Sequence, residues 1–406
     1  MIEVAGGTYE ELCHYPAWHQ FFGSGGRAAA VLATLGVPAR LHTFADAAST
    51  SRRKALADAF GFEALCTTGA PEVLFEYFHA LTPVQYVPSF EPLEDPTRHI
   101  HVKGDQVIRF GMLEGDAVVE ARQCVYDPQT PVSPAPFAAN GSRAEELAVV
   151  CNLGEAEQLT AQFGPEACAV HLGKVAKVAV VKAGAAGAWV VSDGHLNVIP
   201  SYRTASVFPI GSGDVFTAAF AQAWMAQGRP APEAADFASR ATALYCSSMS
   251  FPTQDIMATE AAALVPVTLR RPLAPRPRVY LAGPFFTMAQ RWLIEEARRE
   301  LGHVGLDVFS PFHEVGIGRS KEEIVELDLK GLNEADVMVA MLEDLDPGTL
   351  FEIGYATRSG KPVVCFARSG HDGDLTMLGG SGAEVTADFA TAVYMTAWAA
   401  YGTACT

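Results

Sequence analysis

Two runs of this 406-residue chain set acids and glycines at spacings suited to chemistry. The first is Asp346-Pro-Gly348-Thr-Leu-Phe-Glu352-Ile-Gly-Tyr-Ala. A glycine turn leads into a helix, with one carboxylate in the turn and a second expected in the helix's first turn. Such a pair suits displacement at a sugar carbon. One acid attacks the anomeric carbon and forms a covalent ester, and another manages the leaving group. Glu352 is the expected nucleophile. Asp346, and Asp328 on the preceding helix, are the expected acids for binding and protonating a base. A purely structural reading competes: Thr349-Leu-Phe-Glu352 also spells a capping box, and Asp346-Pro-Gly an ordinary turn.

The second run is Gly211-Ser212-Gly213-Asp214, opening a buried helix. Bare N–H groups at a helix start attract anions, and glycines let a phosphate approach closely. Such a loop can stabilise a transferring phosphoryl group while Asp214 accepts a proton from a substrate hydroxyl. Upstream, Asn152-Leu-Gly-Glu155 is a pair able to organise Mg²⁺ and its waters. Lys182-Ala-Gly184-Ala-Ala-Gly187 makes a tight turn between strands, where a nucleotide can lie.

The elements that must carry these residues fall into two blocks. Val265 to Arg278 holds four prolines and four arginines without an apolar period, and reads as a semi-rigid connector. The expected division is a domain at 1–264, a linker at 265–277 and a domain at 278–406. In the first block, 177–181 and 187–191 read as strands. Residues 144–151, 214–227 and 232–249 read as helices, and the proline-rich stretches 83–97 and 127–136 as long loops. The alternation indicates an α/β layered domain. After the connector, strands at 278–282, about 306–309, 336–342 and 361–366 alternate with helices at about 288–301, 320–334, 349–359 and 384–398. That order predicts a small open parallel sheet covered on both faces, with ligands beyond the strands' carboxyl ends. Gly283-Pro284-Phe285-Phe286, Pro311-Phe-His313 and the loop at 343–348 leave those ends and should converge.

Composition narrows the partners. Hydrophobic residues are 49% and the formal charge is −17, so large cores can be buried and a phosphate polymer is repelled. Small nucleosides or sugars fit better than nucleic acid. The eight cysteines (13, 66, 124, 151, 168, 246, 365 and 405) form no Cys-x-x-Cys pair and read as free thiols in a reducing compartment. No run of eighteen apolar residues suggests a membrane span, and Met1 to Gly7 shows no signal-peptide pattern. A cytoplasmic enzyme is the expectation.

Tyr280-Leu-Ala-Gly-Pro-Phe-Phe286, Asp328-Leu-Lys-Gly-Leu-Asn-Glu-Ala-Asp336 and the Asp346–Ala356 run together resemble the nucleoside 2-deoxyribosyltransferase family over about 278–367. The resemblance implies a small Rossmann/flavodoxin-like fold and a nucleophilic Glu352 positioned by Tyr280. It places Asp328 and Asp346 near the base, with Gly283, Pro284, Phe285 and Gly348 lining the substrate and no cofactor needed. It also implies sites completed by a neighbouring subunit, hence at least a dimer. Gly-Pro-Phe-Phe-Thr after the first strand is closer to the family's nucleoside-specific branch than to its monophosphate N-hydrolases.

Gly23-Ser-Gly-Gly26, Tyr126-Asp-Pro-Gln129, Asn152-Leu-Gly-Glu155 and Gly211-Ser-Gly-Asp214 resemble the ribokinase-like (PfkB) kinases over about 20–250. That resemblance implies an α/β/α sandwich with eight or nine mostly parallel strands. It makes Asp214 the catalytic base, Gly211 to Gly213 the anion hole, and Asn152 with Glu155 the metal motif. Gly25 and Gly26 fall in the substrate loop, and Lys182, Gly184 and Gly187 beside the ATP. Phe208 stands where the family places an aspartate, an alanine run replaces the expected sugar-binding asparagine, and the N-terminal region is short for a full lid. The chain therefore reads as a bifunctional enzyme of nucleoside metabolism. One domain cleaves or transfers an N-glycosidic bond, and the other phosphorylates a nucleoside or sugar with ATP and Mg²⁺. The alternative is an inactive nucleoside- or nucleotide-sensing module that regulates an N-hydrolase.

Overall fold

A computed structural model of the chain describes residues 1–89, 98–129, 133–270, 273–316, 320–368 and 375–403. Two compact units divide it: Met1–Thr204 with Phe208–Leu264, and Ala205–Val207 with Val265–Thr406. No helix among the described residues is long and apolar enough to cross a membrane.

The first unit is built on a nine-stranded sheet. In spatial order its strands are His195–Ile199, Ala188–Ser192, Val178–Lys182, Arg143–Asn152, Asp116–Asp127, His99–Phe110, Ile2–Ala5, Ala39–Ala45 and Glu63–Thr68. The last seven are parallel neighbours, and the first two are antiparallel at one edge. His99–Phe110 and Asp116–Asp127 run parallel, yet only residues 111–115 join them. At about 3.3 Å per residue, so short a connection cannot return along a straight strand of that length. The strands therefore turn a corner. The pairing skips Asp105, Arg122 and Glu145 there, and Arg122 bonds Asp105 at 2.7 Å. A separate sheet of Trp18–Phe21, Glu10–Tyr15, Leu74–His79 and Gln85–Val87 supplies four strands that the sequence did not announce.

The stretch 144–151, expected as a helix, is the strand Arg143–Asn152. Its Ala and Glu favour helix, but Ala148 and Val149 pair with Val125 and Tyr126 on one side and Val178 and Ala179 on the other, and two ladders outweigh a weak local preference. The proline-rich stretch 83–97 contains the strand Gln85–Val87, and its residues 90–97 lie outside the described residues. The stretch 127–136 begins at a strand end, and residues 130–132 lie outside as well.

The helix Gly23–Thr34 can start where it does because Gly25 lacks a side chain. A Cβ there would lie 2.6 Å from the carbonyl carbon of Gly6. Behind it, Ala28 to Ala30, Ala218, Ala219, Ala234, Ala235 and Ala238 are fully buried, and such small residues let helices approach closely.

The second unit carries a five-stranded, all-parallel sheet in the order Asp307–Phe309, Arg278–Ala282, Val337–Met341, Val363–Phe366 and Glu384–Thr386. The fifth strand and the helix Phe389–Tyr401 replace the single helix expected at 384–398. Asp388 caps that helix by accepting from the Thr391 amide, which fixes its later start. Thr268–Leu269 pairs with Gly402–Thr403 within this unit, so part of the stretch read as a connector is strand. Residues 271–272 and 369–374 lie outside the described residues.

Candidate functional site

In the second unit, Tyr280 rises from the buried middle of Arg278–Ala282, its ring stacked on Phe309 at 5.5 Å. Gly331 makes room for Phe309: a Cβ there would stand 2.3 Å from the ring. The Tyr280 hydroxyl donates to Oε1 of Glu352 at 2.6 Å. Glu352 lies on the helix Pro347–Arg358, whose cap is Asp346, not Thr349. Asp346 Oδ2 accepts from the Thr349 amide at 2.8 Å and its hydroxyl at 3.0 Å. Glu352 therefore stands in the second helical turn rather than the first, and capping does not consume it.

Burial pushes the Glu352 carboxyl up to about 7; the Tyr280 bond opposes this, and the charges of Asp328 and Asp346 add to it. Asp328, on Lys321–Glu334, is pushed up by burial to about 6, and its buried Oδ1 has no hydrogen-bond partner. Burial raises the Tyr280 phenol well above its usual range, with Glu352's charge adding to the effect, so it stays a donor. Just ahead of the helix, Asp344 and Leu345 hold φ of 58° and 47°, a left-handed pair that costs strain and is characteristic of functional loops. Of the expected lining residues, Gly283 must be glycine: its φ is 153° and a Cβ would meet Ile294 at 2.8 Å. Pro284 is buried beside it, and Phe285 packs on Phe312 with centroids 5.1 Å apart. Gly348 is exposed in the first turn of the Glu352 helix.

In the first unit, a cavity of about 370 Å³ brings together Asp214, Gly211, Gly213, Asn152, Glu155 and Gln129. Tyr9, Phe75, Tyr77 and Tyr86 line it as well. Gly211, at φ 76°, caps the helix Ser212–Ala221 and turns the chain into it, with Ser212 at its first position. Asp214 is 7% exposed. Its Oδ2 accepts from Arg27 Nη1 at 2.7 Å and its Oδ1 from Gln129 Nε2 at 2.6 Å. Asn152 and Glu155 form a reciprocal capping box for Leu153–Thr160, which engages Asn152 Oδ1 and Glu155 Oε2. Burial pushes Glu155 up to about 7, and the charges of Asp127 and Asp214 contribute.

Lys182 is not in the cavity wall. Its Nζ bonds Asp127 at 2.8 Å and lies 3.5 Å from where a Gly213 side chain would begin, beneath the anion loop. Burial raises Asp127 despite that lysine, and Asp127 Oδ1 is buried without a partner. Gly184 and Gly187 frame the turn between Val178–Lys182 and Ala188–Ser192, outside the cavity. Gly25 and Gly26 are buried in the first helix; Ser24 and Arg27 reach the cavity instead. Arg27 and Glu11 went unnoticed in the sequence. The signal was one arginine inside the otherwise uncharged helix Gly23–Thr34.

Two family models match: nucleoside 2-deoxyribosyltransferase over 279–382, and pfkB family carbohydrate kinase over 121–253. The chain is a fusion of a ribokinase-like, pfkB-family domain with a nucleoside 2-deoxyribosyltransferase-family domain. An uncharacterized protein of Ureaplasma parvum is 34% identical over 91 residues, covering 19% of this chain and 58% of that one. A Thermofilum pendens protein, provisionally named a 2'-deoxynucleoside 5'-phosphate N-hydrolase, is 35% identical over 96 residues, covering 22% of this chain and 67% of that one. The pfkB-family domain is similar in fold to a provisionally named ribokinase from Agrobacterium tumefaciens. TM-score is 0.52 and identity 17%, covering 64% of this chain and 97% of that one.

Proposed function

We propose that the deoxyribosyltransferase-family domain cleaves or transfers the N-glycosidic bond of a nucleoside, and that the pfkB-family domain phosphorylates a nucleoside or sugar hydroxyl. The observation that carries the first half is the Tyr280–Glu352 hydrogen bond beside the unpartnered Asp328 oxygen. Glu352's second oxygen attacks the anomeric carbon as the carbon–nitrogen bond breaks. The bond's electron pair passes to the base nitrogen, which takes its proton from Asp328, the half-buried acid of the site. Water or a second base then opens the glycosyl ester. The loop Gly283–Thr287 carries no basic side chain, which favours a nucleoside over a monophosphate. The experiment measures free base and ADP from a nucleoside and sugar panel, with and without ATP and Mg²⁺.

The nucleophile must be ionised and the acid protonated. Glu352 titrates near 7 and Asp328 near 6, so only a minority of molecules hold the reactive pair at any pH. kcat/KM for base release should peak between pH 6 and 7, fall on the acid side as Glu352 protonates, and fall on the alkaline side as Asp328 loses its proton. A flat profile from pH 5 to 8 would refute the pairing. Tyr280→Phe removes a charge-assisted bond that favours the ionised nucleophile. Base release should drop about 10- to 100-fold, and the alkaline limb, whose midpoint follows the higher-titrating Glu352, should move to higher pH in stopped-time assays.

In the pfkB-family domain, Asp214 takes the acceptor's proton and the amides at Gly211 to Gly213 hold the transferring phosphoryl group. Glu155 keeps one carboxylate oxygen outside its capping box, and the acidic surplus around it suits a divalent cation. Asn152 commits its side-chain oxygen to the helix cap, so Glu155 is the better ligand for Mg²⁺. When bound, Mg²⁺ neutralises charge on the phosphates of ATP. A second reading, a sensing module without phosphoryl transfer, is favoured by one observation: both Asp214 oxygens already accept strong hydrogen bonds.

A further inference from the structure

Arg27 is 1% exposed, and its guanidinium joins three elements. Nη1 donates to Asp214 on the helix Ser212–Ala221 at 2.7 Å, and Nη2 to Glu11 on the strand Glu10–Tyr15 at 2.5 Å. The group rests on Gly211, where a Cβ would lie 2.2 Å from the guanidinium carbon. A buried ion cluster of this kind stabilises a fold little better than apolar packing does, so its presence asks for another reason. We infer that Arg27 is a positioning residue for Asp214, fixing the plane of the carboxylate so that the remaining lone pair of Oδ1 meets an acceptor hydroxyl in the cavity.

The inference rests on the kinase reading above. In the step it serves, the acceptor's O–H proton passes to Asp214, its oxygen bonds the γ-phosphorus of ATP, and the bond to ADP breaks. Gln129 bonds Oδ1 and Arg27 bonds Oδ2, so the two donors together leave the carboxylate one orientation. Through Glu11, Arg27 also ties the base to the four-stranded sheet that carries Tyr77 and Tyr86 of the cavity wall.

The groups whose ionisation feels Asp214's charge are Glu11 and Tyr77 on the small sheet, Asp127 on its long strand, Glu155 on Leu153–Thr160 and Tyr245 on Ala231–Ser248. Lys182 lies beneath Gly213. Arg27 is the cation in hydrogen-bond contact with Asp214.

The test measures ADP formation by the full chain across the acceptor panel. It compares the wild type with Arg27→Met, Arg27→Lys and the pair Arg27→Met with Glu11→Gln, which removes a stranded buried carboxylate; melting by circular dichroism reports folding. For Arg27→Met, kcat should fall roughly 100-fold with acceptor KM within about threefold, the pattern of a misaligned group. Arg27→Lys should recover part of the rate. A folded Arg27→Met or paired variant with unchanged kcat overturns the inference while leaving the kinase reading intact. ADP from Arg27→Met but none from the wild type also overturns it and makes Arg27 a block. No ADP from any of these proteins with any acceptor removes the kinase reading, and the role of Arg27 with it.

Discussion

Replacing Glu352 with glutamine is expected to lower base release at least about 10³-fold and to leave ADP formation unchanged. Glutamine can still accept the Tyr280 hydroxyl, so the site keeps its shape and loses only the nucleophile. The same substitution carries a second, opposite effect on stability. The folded carboxyl titrates near 7, above its unfolded value, so the native state binds the extra proton. Stability from that site is complete below about pH 4 and is lost as pH rises through 7. At pH 8 the ionised Glu352 costs the fold about 3 kcal/mol, which the glutamine variant does not incur. Melting of the deoxyribosyltransferase-family domain should therefore rise in the variant at pH 8 and match the wild type at pH 4. Base release that persists in Glu352→Gln would remove the covalent mechanism. An unchanged melting curve at pH 8 would mean the carboxylate is well solvated.

The second large effect is the mirror image. Asp214→Asn should cut ADP formation about 10²- to 10⁴-fold, the usual contribution of a positioned proton acceptor, with base release untouched. Asparagine is isosteric and can still accept from one of its two partners, but it takes no proton. The variant turns on whether Asp214 does chemistry or only organises buried charge. In the first case the rate falls while ligand affinity in calorimetry persists. In the second, wild type and variant both bind ligand and neither forms ADP. Assaying base and ADP in the same tube keeps the two domains' failures apart.

The parts of the deoxyribosyltransferase-family domain that were legible in sequence are those whose signals are local. Asp346-Pro-Gly announces a helix start, and the strands at 278–282 and 336–342 are short apolar runs with nowhere to go but a buried parallel sheet. The exact turn carrying Glu352 was not legible, because Thr349 and Asp346 both have capping side chains and only the fold decides between them. The stretch 384–398 failed for a related reason: Glu384–Thr386 is a three-residue strand whose parallel partner, Val364–Phe366, lies far back in the chain. In the pfkB-family domain, the strand at 143–152 was misread because its composition favours helix and its ladders are nonlocal. Asp214, Gly211, Asn152 and Glu155 did reach one cavity, whereas Gly25, Gly26, Gly184 and Gly187 pack as backbone. Arg27 was invisible because charge pairing with Asp214, 187 residues away, is not a sequence pattern.

The fit of Arg27 against Gly211 links the histories of two positions far apart in the chain. While the arginine keeps its place, even alanine at 211 would collide with its guanidinium and have to displace it. A lineage that first lost the arginine would face only the modest backbone penalty of a left-handed non-glycine residue. Drift at 211 is thus gated by position 27, and in related chains a side chain at the first should appear only where a smaller residue has replaced arginine at the second.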